Sequence, residues 1–188
     1  ALEHVRKLIA ARADLSHVEL SQRMADDFTG IEPGSFDTVI INSVTQYLPG
    51  IEYLKAVLEG AVTAVSAGGR IFIGDVRNLP LLKAFHASVQ CYRAEGRTKK
   101  AQLGQLIEND IELESELVID PAFFVALKGR VDRISDVEIF LKRGRHQNEL
   151  TRFRYDAFVH VEAKDKASAP ETWLDWQKER LSLADLQG

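Results

Sequence analysis

Gly34-Ser35-Phe36-Asp37-Thr38-Val39-Ile40-Ile41-Asn42 opens the stretch on which the fold turns, and Gly68-Gly69-Arg70-Ile71-Phe72-Ile73-Gly74-Asp75-Val76 closes it. Pro33 and Gly34 signal a turn within residues 30–35. Phe36 to Asn42 is β-branched and nearly continuous, as a strand buried on both faces requires. Leu48-Pro49-Gly50 breaks the chain. Ile51 to Val65 then places Leu54, Val57, Leu58, Ala61 and Val65 on one helical face. Ala67-Gly68-Gly69 is expected to cap that helix, and Arg70 to Val76 to form the next strand. Strand, helix and strand with links this tight make a parallel α/β unit.

Working outward, Leu2, Val5, Leu8 and Ile9 recur at helical spacing, which predicts a helix ending near Asp14. Val18 to Gln22 alternates as a short strand. Residues 79–134 read as helices, with Pro80 and Pro121 near helix starts and the charged run Glu95 to Lys100 between two of them. Val137 to Lys142 alternates, Gly144 to Gln147 turns, and Leu150 to Val161 alternates again, which predicts an antiparallel hairpin. After Ala163 the composition turns polar, as a linker does, and Trp173 to Leu186 is expected to form a terminal helix. The expected organisation is one body over residues 1–162, with a helical lid at about 79–134, followed by linker and helix at 163–188.

The 188 residues suffice for one domain with a real core. A net charge of −4 gives no basic stripe for nucleic acid, and no apolar run approaches a membrane span. Cys91 is the only cysteine, so no internal disulfide forms and a cytoplasmic setting is expected. The chain opens on Ala1 inside a helical pattern, which predicts an excised or incomplete domain.

Three segments carry a resemblance. Gly34 to Pro49 (GSFDTVIINSVTQYLP) looks like the fourth strand and following loop of a class I S-adenosylmethionine-dependent methyltransferase. Ala67 to Gln90 (AGGRIFIGDVRNLPLLKAFHASVQ) resembles the fifth strand with its preceding glycine turn, and Lys142 to Asp156 (KRGRHQNELTRFRYD) resembles the last hairpin. Together they are similar to methyltransferase domains embedded in nonribosomal peptide synthetases and polyketide synthases, over about residues 1–162. The resemblance implies a Rossmann-like α/β sheet with strands one and two missing, a helical lid between strands five and six, and a C-terminal antiparallel hairpin. The family's strand order, three-two-one-four-five-seven-six, then leaves strand four as an open edge, unbonded to strand three at Val18 to Gln22. The family's E-x-G-x-G-x-G loop and ribose-binding acidic residue would precede Ala1. DDFTGIEPG does not replace them, because its glycines do not follow a strand and open a helix.

Ligands of open α/β sheets bind outside the carboxyl ends of the strands, which singles out the residues just after each one. By resemblance, Ala25, Asp26 and Asp27 hold the adenine of S-adenosylmethionine; otherwise the two carboxylates are solvated turn residues. Asn42, Ser43 and Tyr47 pass beneath its methionine portion, or else Asn42 caps the loop backbone. Asp75 and Arg77 line the acceptor side, or pair with each other as a surface salt bridge. His86 is the candidate general base, oriented by Glu114 or Glu116, against the plainer reading of a helix-surface histidine beside two solvated glutamates. Asn148 and Glu149 are candidates for acceptor contact, while Arg152, Arg154 and Asp156 alternate as a solvent face would. Lys142, Arg143 and Arg145 would receive a phosphopantetheine phosphate or an acidic carrier protein, or simply form a solvated turn. The remaining histidines have no metal-site spacing. These readings imply methyl transfer to a hydroxyl of an acyl chain tethered on a carrier protein, beside neighbouring megasynthase domains. N-methylation of a tethered aminoacyl group and a non-catalytic structural remnant are the alternatives.

Overall fold

A computed structural model describes residues 2–94, 98–164, 178–182 and 185. Helix α1 spans Leu2–Ala10, strand β1 Phe36–Asn42, helix α2 Ile51–Ala64 and strand β2 Val65–Arg77. Helices α3 (Leu82–Arg93), α4 (Lys100–Glu112) and α5 (Pro121–Leu127) follow, then strand β3 (Ile134–Leu141), helix α6 (Glu149–Phe153) and strand β4 (Arg154–Val161). The described part of the expected terminal helix, residues 178–182 and 185, contains a turn at 178–180 and no α-helix, and the rest of Trp173 to Leu186 lies outside the described residues. No described helix is long and apolar enough to cross a membrane.

The sheet has the order β1-β2-β4-β3. β1 runs parallel to β2, with Thr38 opposite Arg70 and Asn42 opposite Gly74. β4 runs antiparallel to both neighbours, opposite Ile71 and Val137 at Val159. That order is the four-five-seven-six half of the sheet implied by the resemblance, and β1 is its outer strand among the described residues. Val18 to Gln22 is not a strand, which corrects the sequence reading. Its alternation is real, but a strand exists only through ladder hydrogen bonds to a neighbour, and no described segment supplies them.

The parallel unit forms for the reason its sequence indicates. α2 buries Leu54, Leu58, Ala61 and Val62 in one core with Ile71, Ile73 and Val159, and buries Val57 as well. Full burial of each large aliphatic side chain stabilises by about 1.5–3 kcal/mol. Two boundaries differ from expectation. α2 ends at Ala64, and Val65 already begins β2, so the Ala67-Gly68-Gly69 turn is a bulge near the start of that strand rather than a helix cap. The last hairpin also carries a helical turn, because Asn148 and Thr151 form a reciprocal capping box that starts α6 where a strand was expected.

Gly69 sits where β2 bends across β1. A Cβ there would lie 2.5 Å from the Asp37 carbonyl oxygen and 2.6 Å from Val65 Cγ1. Gly69→Ala is therefore expected to destabilise the domain by about 1–3 kcal/mol, the usual cost of overpacking a rigid backbone approach. Urea denaturation of the two proteins measures it, and an unchanged midpoint would contradict the bulge geometry.

Candidate functional site at the carboxyl ends of the strands

The carboxyl end of β2 organises the site through a distortion. The ladder with β4 shifts register between Ile73 and Val76, and Asp75 adopts φ +66°. Alternate positions of a strand normally share a face, so Asp75 and Arg77 would be neighbours. The bulge separates them, and the alternative reading of an Asp75–Arg77 surface pair is not met: Arg77 pairs with Glu114 and Glu116, and Asp75 with Arg154.

Asp75 instead ties three segments together. Its N–H donates to Asp156 Oδ1 at 2.8 Å. Its Oδ2 accepts from Ser43 Oγ at 3.1 Å and from Arg154 Nη1 at 2.9 Å. Lys142 Nζ lies 2.9 Å from Asp156 and 3.8 Å from Asp75. Ser43, just past β1, is itself left-handed at φ +57°, and its N–H donates to the Gly74 carbonyl. Gly74 is required here, because a Cβ would overlap Asn42 Oδ1. Asn42 and Ser43 are thus brought to the strand ends as expected, while the Tyr47 side chain is 72% exposed. The expected solvent face at Arg154 and Asp156 is corrected: both turn inward onto Asp75, because β4 borders the bulge. Arg152 alone points outward, toward Gln147.

Arg77 gathers the lid. Its Nη2 donates to Glu114 Oε2 at 2.7 Å and its Nη1 to Glu116 Oε2 at 3.0 Å. The guanidinium holds the Glu114 carboxyl down at about 2, well below the usual carboxylate range, with the Glu116 N–H helping and burial opposing. His86, nearly buried on α3, sets Nε2 3.2 Å from Glu114 Oε2 and Nδ1 3.7 Å from Asp110 Oδ2. Of the two candidate partners of His86, Glu114 makes the contact and Glu116 bonds Arg77 instead.

A cleft of about 300 Å³ opens beside these groups, lined by Arg77, Asn78, Glu114, Glu116, Glu149 and Arg154, with Leu82, Phe85, Val118 and Phe153 between them. Glu149 pairs with Arg154 Nη2 at 2.9 Å and so stands at the cleft, whereas Asn148 is occupied in capping α6. His86 lines the adjoining groove rather than this cleft. Asn78 lines the cleft, and its Oδ1 is buried without a partner.

The loop after Val18 to Gln22 is anchored to α2. Asp26 accepts from Tyr53 Oη at 2.7 Å, and Phe28 packs where Gly60 leaves room for its ring. Asp27 accepts from the Thr29 N–H and so shapes the turn; the Thr29 side chain, and after it that N–H, lower its pKa. Ala25 and Asp26 sit in that exposed turn. Arg154, Asp156, Phe85, Phe153 and Asp110 are the site residues that pattern reading missed. For Phe153, Arg154 and Asp156 the sequence signal was the density of ionisable and aromatic residues in RFRYD; Phe85 and Asp110 lie outside that stretch.

Sheet order, antiparallel last hairpin and strand-end loops together define the class I methyltransferase fold. An O-methyltransferase family protein from Burkholderia thailandensis superposes with a TM-score of 0.50 at 16% identity, over 87% of this chain and 41% of that one. No family model matches the sequence. Chondramide synthase of Chondromyces crocatus is 48% identical over 99% of the chain, and a nonribosomal peptide synthetase of Alternaria alternata is 32% identical over all of it. The chain spans only 5% and 4% of those relatives' lengths. It is thus a homologue of a methyltransferase-fold segment embedded in nonribosomal peptide synthetases.

Removing one member of the Arg77–Glu114 pair strands its partner's charge in a largely buried place. Arg77→Ala is expected to cost about 3–5 kcal/mol at neutral pH. The Glu114 carboxyl is depressed by folding, so its contribution is present above its unfolded value near 4.5 and is lost as pH falls toward 2. Chemical denaturation of wild type and Glu114→Gln from pH 7 down to 3 checks the sign: the stability gap between them should narrow on acidification.

Proposed function

We propose that this domain transfers a methyl group from S-adenosylmethionine to the α-amino nitrogen of an aminoacyl group tethered on a carrier protein, within a cytoplasmic peptide synthetase. The observation that carries the reading is the charge of the strand-end cleft. Three carboxylates, Glu114, Glu116 and Glu149, face two guanidiniums, Arg77 and Arg154, which leaves one negative charge in excess. Such a site attracts an ammonium group and orients an amine N–H.

The residues present fit one side of the cofactor. Gly74 leaves room for Asn42 and the left-handed Ser43 beneath the sheet edge, and Asp26 offers a carboxylate fixed by Tyr53 on the neighbouring loop. When bound, S-adenosylmethionine supplies an electrophilic methyl group on a positively charged sulfur. Asn42 and Ser43 would bear on its amino-acid portion, and Ala25 and Asp26 on its adenine. Glu114 and Glu116, fixed by Arg77, hold the acceptor nitrogen through its N–H groups. The α-ammonium would lose one proton to solvent before reaction; the lone pair so freed would take the methyl carbon as its bond to sulfur breaks, leaving S-adenosylhomocysteine and a secondary ammonium that gives its extra proton to solvent. Placement of the two reacting atoms is then most of the catalytic work.

A hydroxyl acceptor is the second reading, and the His86–Glu114 contact favours it. An alcohol needs a base with a free lone pair at the reacting oxygen. His86 faces carboxylates with both ring nitrogens and lies in the adjoining groove, so the amine is the better fit. The synthetase relatives, named for making peptides, support an aminoacyl acceptor as well.

Full-length protein incubated with methyl-labelled S-adenosylmethionine and matched aminoacyl and hydroxyacyl thioesters separates the readings by mass spectrometry. The expected product is the N-methyl aminoacyl thioester, and Glu114→Gln should lower kcat/KM on the order of a hundredfold. Methylation of the hydroxyacyl thioester alone would move the acceptor to oxygen. No calorimetric binding of S-adenosylhomocysteine would leave a structural remnant as the better description.

A further inference from the structure

Resting on the aminoacyl-acceptor reading, we infer that the same cleft selects a bulky apolar side chain, an aromatic ring above all, with Phe85 and Phe153 as specificity-determining residues. Beyond its ionised groups, the cleft is lined by four apolar side chains, Leu82, Phe85, Val118 and Phe153, drawn from α3, the segment before α5, and α6. Phe85 and Phe153 meet edge to face, with ring centroids 5.4 Å apart at 70°. The Arg77 guanidinium lies 5.3 Å from the Phe85 centroid, so the carboxylate-bearing side of the cleft and its aromatic wall share one residue.

The alternatives fit worse. Both guanidiniums are already engaged, Arg77 with Glu114 and Glu116, and Arg154 with Asp75 and Glu149. An acidic side chain therefore meets excess negative charge and no unpaired cation among the described cleft residues. A basic side chain competes with the amino group for the same carboxylates. A small side chain leaves the wall wetted in a cleft of about 300 Å³. A third ring continues the edge-to-face arrangement that Phe85 and Phe153 begin, and buries apolar area on both partners.

The test compares kcat/KM of the full-length protein for phenylalanyl, alanyl and glutamyl thioesters. The phenylalanyl substrate should be preferred over the alanyl by about tenfold or more, the usual discrimination of an apolar pocket. Phe153→Ala should shrink that ratio toward one, and Phe85→Leu should lower it partially. S-adenosylhomocysteine titration reports whether each variant still folds around its cofactor. Equal kcat/KM for the three thioesters in wild type overturns the inference while leaving N-methylation intact, as does an undiminished ratio in a folded Phe153→Ala protein. Methylation of no aminoacyl thioester, with hydroxyacyl thioesters accepted, overturns both.

Discussion

The left-handed bulge at Asp75 is the constraint on which the site depends. A regular β2 would align Asp75 and Arg77 on one face, where they would neutralise each other. The register shift lets Asp75 serve the β1 loop and β4, and leaves Arg77 to the lid. A non-glycine residue at positive φ costs on the order of 1–3 kcal/mol and persists only where its surroundings over-determine it. Here the surroundings are identifiable: the Asp75 N–H is taken by Asp156, and its carboxylate by Ser43 and Arg154. The strain and the bonds that hold it are one arrangement.

From that bulge the two halves of the site become mechanically linked. Ser43 belongs to the loop after β1, and Arg154 reaches from Asp75 to Glu149 on α6. The chain Ser43–Asp75–Arg154–Glu149 therefore runs from the strand end proposed for the cofactor to the cleft proposed for the acceptor. Arg77, two residues on, performs the equivalent task for the lid by fixing Glu114 and Glu116, and Glu114 in turn meets His86. Methyl transfer needs two bound groups placed in line rather than an elaborate acid–base apparatus, and a rigid polar frame on β2 suits that requirement.

Much of the fold was legible because its signals are local. The run FDTVIIN, the 3.6-residue periodicity of Ile51 to Val65, and RIFIGDV each identify their element without reference to the rest of the chain. The failures share one cause, which is dependence on a neighbour. Val18 to Gln22 has strand alternation, yet no described segment offers it a ladder. Leu150 to Val161 alternates throughout, yet the Asn148–Thr151 capping box turns its first residues into α6. Both capping partners were visible in the sequence, and the strand period simply outvoted them.

Within the site, the legible residues were those whose place at the strand ends follows from sequence position. Asn42, Ser43, Asp75 and Arg77 come just after or at the ends of strands, and His86 with Glu114 by resemblance. Arg154 and Asp156 were invisible for a physical reason. An alternating charged strand face is solvated unless something ionised lies opposite, and what lies opposite here is created by a backbone distortion at Asp75, 79 residues earlier than Arg154. Gly74 within the strand pattern marks a bulge or a close approach, but an ordinary aspartate occupies the left-handed position, so propensity does not say which side chain the bulge turns. The cleft's aromatic wall was hidden similarly: Phe85 and Phe153 lie on separate short helices and become neighbours only when the hairpin folds back against the lid. Chemistry that is assembled from several elements is written in their packing, and it becomes readable once the distortion that sets the packing is known.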